Sequence, residues 1–88
     1  MTKLDELKEL LEKIGSPSRR VMPYLVARRL DKAQEVIDFL KNNNIDFANA
    51  DDEENPDSDR AYLDYLKVNR FLESLLDKYG YDTSRDDA

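Results

Sequence analysis

An all-α domain of four helices is what this 88-residue chain predicts, on three observations. Apolar residues recur every three or four positions in four separate segments. Each segment begins or ends on residues suited to a helix terminus. No stretch alternates apolar with polar as a half-buried strand would. The expected architecture is a compact four-helix domain over residues 1–81, with an acidic linker at 48–57 before a long C-terminal helix and a flexible tail at 82–88.

The first helix is expected from Lys3 to Ile14. Thr2 suits an N-cap with Asp5 at N3, Leu4, Leu7, Leu10, Leu11 and Ile14 share one stripe, and Gly15 supplies a stop. Ser16-Pro17 reads as a fresh helix start, but Pro23 has no N–H and would kink a helix continued from there. The spacing therefore predicts a short turn at 17–21 and a second helix from about Met22 to Arg29, with Val21, Met22 and Leu25 as its stripe. Asp31 with Gln34 three residues on predicts a capping box for a third helix, whose stripe is Ala33, Val36, Ile37 and Leu40 and which ends in Asn42-Asn43-Asn44. Ile45 and Phe47 are expected to fold back onto the core. The polar segment ANADDEENPDSD at 48–59 has no apolar anchor and repels itself, so 48–57 is expected to be the most mobile internal stretch. A fourth helix starts at Asn55-Pro56 or Ser58-Asp59 and runs to about Tyr79. Ala61, Tyr65, Val68, Phe71, Leu72, Leu75, Leu76 and Tyr79 give it a stripe wide enough to face a core.

Composition narrows the chemistry. The chain has no histidine and no cysteine, which removes the commonest general base, the commonest metal ligand, the best nucleophile and any disulfide. Its acid pairs, Asp51/Asp52 and Glu53/Glu54, sit in a solvated run where nothing separates their pKa values for acid–base work. The same run lacks the glycine and register of a calcium loop. Both glycines close helices, so no phosphate-cradling loop is present. No catalysis, no cofactor and no metal are expected. The start of the chain is charged, and no apolar run approaches a membrane span, so a cytoplasmic protein away from membranes is expected.

Charge is unevenly placed. Residues 1–50 carry nine basic and eight acidic residues, and residues 51–88 carry five and twelve, so +1 in the first half and −7 in the second give the net −6. Arg19, Arg20, Arg28 and Arg29 flank Tyr24, and Arg20, Tyr24 and Arg28 would share a helix face. That pattern suits phosphate contact with stacking or an acidic protein surface, and equally suits pairing with the chain's own acidic loop. On the fourth helix Leu63 lies opposite the core stripe and Leu66 at its edge, with Tyr62 between. The three form a candidate partner or dimer patch unless the bundle wraps that side too.

Residues 6–30, ELKELLEKIGSPSRRVMPYLVARRL, resemble the SAP motif, a helix–loop–helix DNA-binding module. Leu7, Leu10, Leu11, Gly15, Pro17, Leu25 and Leu30 fall near its apolar and turn positions, while Arg19-Arg20 stand where its second loop glycine and following basic residue belong. The stretch is also faintly similar to the opening of bacterial ArsR-type winged helices, with acidic linker where the recognition helix would lie. The expected function is a non-enzymatic regulatory or adaptor module that binds another protein through Arg19, Arg20, Tyr24, Arg28 and Arg29, through Tyr62, Leu63 and Leu66, or both. The alternatives are nucleic-acid binding by segment 6–32 through the arginine cluster, and an inhibitor whose acidic linker and fourth helix imitate a nucleic-acid backbone. A homodimer is compatible with the Tyr62, Leu63 and Leu66 patch.

Overall fold

The computed structural model describes residues 2–79; the tail expected at 82–88 lies outside the described residues. Four helices account for the regular structure: α1 (Lys3–Ile14), α2 (Val21–Leu30), α3 (Ala33–Asn42) and α4 (Ser58–Lys78). Among the described residues the only strand-like pairing is an isolated parallel bridge between Gly15 and Phe47. The protein is all-α.

α1 starts as its sequence requires. The Thr2 hydroxyl accepts from the Asp5 N–H, and the Asp5 carboxylate accepts from the Thr2 N–H, so two otherwise orphaned amides are satisfied together. α2 begins at Val21 because of Pro23. As the third helical residue, Pro23 falls where an N–H would have no intrahelical acceptor, so the ring costs the helix nothing there. Residues 16–20 form the preceding turn, with the Arg19 and Arg20 amides both donating to the Ser16 carbonyl.

The α2–α3 junction differs from expectation. Asp31 is the residue that ends α2, in a left-handed conformation (φ 56°, ψ 45°), and its N–H donates back to the last carbonyls of that helix. A short polar side chain tolerates this backbone better than most. No side chain caps α3, and Gln34 instead donates to Asp38 one turn on. Only two residues separate α2 from α3, so the reversal needed a C-terminal αL residue more than an N-terminal cap.

The core joins Leu7 and Leu11 of α1, Val26 and Ala27 of α2, Val36, Ile37 and Leu40 of α3, and Val68, Leu72 and Leu75 of α4. α1 packs on α2 and α3, and α2 packs on α3 and α4. α3 also meets α4 where Phe39 and Phe71 stack at 4.1 Å between centroids, a pairing worth about 0.5–1.5 kcal/mol beyond burial. Ile45 and Phe47 do fold back and are buried. The Phe47 N–H donates to the Ile14 carbonyl at 2.6 Å, and its ring packs against Tyr65. Gly15 is there for space: its φ of −118° is ordinary, but a Cβ would come within 2.9 Å of the Phe47 ring and 3.0 Å of Arg20 Cβ and the Leu11 carbonyl.

Segment 48–57 has anchors that its composition conceals. Ala50 packs against the core, and successive turns bond the Ala50, Asp52, Asn55 and Ser58 amides to carbonyls three residues back. The Asp52 and Asn55 side chains each accept from the amide two residues on.

Candidate functional site

The arginine-rich segment turns a different face outward from the one its sequence suggested. Pro23, Val26 and Ala27 are the buried residues of α2. Val21, Met22 and Leu25, expected to be the core stripe, are exposed to 53%, 55% and 44%. The reason is geometric. Pro23 and Ala27 lie one turn apart with Val26 beside them, and these small residues let α2 approach its neighbours closely. The bulkier row is left in solvent.

The arginines do not act as one cluster. The Arg19 guanidinium donates to Asp51 at 2.7 Å and lies over the Tyr65 and Tyr62 rings at 4.7 and 5.2 Å. Ser18 donates its hydroxyl to the same carboxylate. Asp51 is held down at about 2, from an ordinary value of 3.8, chiefly by Ser18, then by Ser16, then by Arg19. The Ser16 hydroxyl is buried and makes no well-formed hydrogen bond, so Ser18 and Arg19 are the partners that hold the carboxylate by geometry. Arg19 is therefore the clasp that holds the acidic loop, the pairing that the sequence had left open beside a partner contact.

Arg20 and Tyr24 share a face, as i and i+4 should, and with Val21 they line a cleft of about 230 Å³ against Lys8, Leu11 and Glu12 of α1. Tyr24 is half-buried. Arg28 and Arg29 border Leu25 in a shallow groove of about 350 Å³. Among the described residues, neither Arg20 nor Arg28 makes an ion pair. The exposed α2 row thus has a cation at each end.

On α4, Tyr62, Leu63 and Leu66 are exposed to 43%, 58% and 37%, so the bundle leaves that side open. The Arg19 contact with Tyr62 brings the start of α2 beside this patch. α4 is not acidic. Its bounds enclose Arg60, Lys67, Arg70 and Lys78 against Asp59, Asp64, Glu73 and Asp77, a neutral balance. The negative charge of the second half is carried by the loop and tail, which removes α4 from the mimicry reading.

Among the described residues no group of three or more acidic side chains is placed to hold a metal ion, and no helix is long and apolar enough to cross a membrane. No family model matches the chain, and neither a curated protein nor a solved structure matches it. The SAP-like and winged-helix-like spacings thus stand without a family behind them.

Proposed function

We propose that this protein is a non-enzymatic helical module that binds another protein through the outer face of α2. One observation carries the reading: Val21, Met22 and Leu25 form an uncovered apolar row on a ten-residue helix, with Arg20 and Arg28 at its ends. Apolar anchors ringed by arginine are what protein interfaces concentrate at their centres. Exposing such a row costs solubility and gives the fold nothing, since the core is complete on the opposite face. The lack of histidine and cysteine favours binding over catalysis. Against nucleic acid as the ligand stands the commitment of Arg19 to Asp51, which places a carboxylate beside the arginine segment.

The test is capture from native lysate, with and without nuclease, using three baits: wild type, Met22→Ser/Leu25→Ser, and Arg20→Ala/Arg28→Ala. Proteins held by wild type and lost by both variants are the expected result. Capture that both variants retain would place the surface elsewhere, and capture that disappears with nuclease would favour nucleic acid.

A further inference from the structure

We infer that the outer face of α4 is a second docking strip, and that its occupant is an acidic amphipathic helical segment of a partner protein. The inference rests on the binding-module reading and adds to it a second face and a partner chemistry.

Leu63 and Leu66 lie on the side of α4 away from its buried residues Ala61, Val68, Leu72 and Leu75. They line an open groove of about 500 Å³ with Arg60, Lys67 and Arg70, walled at one end by Asn43 and Asn44 beyond α3. Positions 60, 63, 67 and 70 are spaced by three and four, so they fall on one face of the helix. Asp64 does not neutralise the strip. Its side chain is largely covered, accepting from the Asp46 N–H at 3.0 Å and meeting Lys67 only at 3.9 Å. Among the described residues, neither the Arg60 nor the Arg70 guanidinium makes an ion pair.

Ion pairing within the described residues does not account for Arg60 and Arg70. Arg60 is the third residue of α4, where the helix dipole disfavours positive charge. Arg70 stands at mid-helix and makes no ion pair among the described residues.

Charge decides between occupants. A second copy using the same face would make a two-fold, self-matching contact. Antiparallel α4 helices crossing between Leu63 and Lys67 would set Arg60 against Arg70, a like-charge meeting that opposes association. An acidic segment with apolar residues at helical spacing satisfies both features: its apolar stripe covers Leu63 and Leu66, and its flanking carboxylates meet Arg60, Lys67 and Arg70.

The experiment is fluorescence anisotropy on the full chain with a labelled synthetic helix-forming peptide, leucines on one face and glutamates flanking them. Controls are the same composition with scrambled leucines, a single-stranded oligonucleotide, and anionic phospholipid vesicles. Saturable binding in roughly the 1–100 µM range is expected for the patterned peptide alone, weakening as salt is raised. Lys67→Glu/Arg70→Glu and Leu63→Ala/Leu66→Ala should each weaken it at least about tenfold. Met22→Ser/Leu25→Ser should leave it unchanged. Should a strip variant fail to fold, the salt dependence and the scrambled peptide still decide with the wild-type chain. No saturable binding below about 1 mM, or equal binding of the scrambled peptide, overturns the inference. So does binding of oligonucleotide or vesicles in place of the peptide. Loss of peptide binding in the α2 variant overturns it while leaving the binding-module reading intact.

Discussion

Gly15 and Asp51 hold the same region of the molecule by opposite means, one through the space it leaves and the other through the charge it carries. Gly15→Ala would drive a methyl group into the Phe47 ring and the Leu11 carbonyl, and only the ring could yield. Overpacking of this kind costs about 1–3 kcal/mol, so the variant should unfold at lower denaturant with an unchanged m-value. Asp51 acts through Ser18, Ser16 and Arg19, and its depressed pKa fixes the sign of the pH effect. A carboxyl that is more acidic folded than unfolded stabilises the fold above its unfolded value, here 3.8, and that contribution is lost as pH falls through about 2. Loop docking should therefore be constant at neutral pH and fail only in strong acid. Carboxyl-detected NMR titration of Asp51 in Arg19→Ala and Ser18→Ala chains should show its pKa returning toward 3.8. An unmoved titration would mean that the clasp is not what holds the carboxylate.

At the scale of elements, each helix answers to a different constraint. α1 is governed by its capping box, α2 by Pro23, and α4 by the apolar stripe along its 21 residues. The loop between α3 and α4 has no helix of its own, yet it is tied by turns, by Phe47 and by the Asp51 clasp. Its amides at Ala50, Asp52, Asn55 and Ser58 should exchange more slowly than those of neighbours without turn bonds, and Arg19→Ala should speed the exchange around Asp51 first. Uniformly fast exchange across 48–57 would show that the loop is undocked in solution.

For the whole molecule, the distribution of charge and uncovered apolar surface separates folding from binding. Val21, Met22, Leu25, Leu63 and Leu66 lie outside the core, and two of the cations beside them, Arg20 and Arg28, have no ion pair among the described residues. An Arg20→Ala/Arg28→Ala chain should melt near the wild-type temperature, because Arg28 is exposed, Arg20 is half-buried, and neither guanidinium makes an ion pair among the described residues whose loss the fold would feel. A large fall in Tm would show that their stems support the fold. The C-terminal end of α4 should be less tolerant. There Tyr79 donates to Glu35 and sits under the Lys32 ammonium at 4.4 Å, tying α4 to the start of α3.

The amino-acid order by itself determined the number and kind of elements. Apolar spacing, the Thr2–Asp5 cap and the proline at 23 act within a few residues and are legible without knowing what lies across the core. It also marked Ile45 and Phe47 as core, since isolated bulky residues after a helix have little else to pack on. Which face of α2 is buried was decided only in three dimensions. The row Val21–Met22–Leu25 is the more apolar, but Pro23, Val26 and Ala27 are the residues small enough to let α2 lie close against the other helices. The fate of the arginines was likewise tertiary. What separates Arg19 from Arg20 is that it stands opposite Asp51, more than thirty positions away, and a contact at that separation leaves no local trace in the sequence.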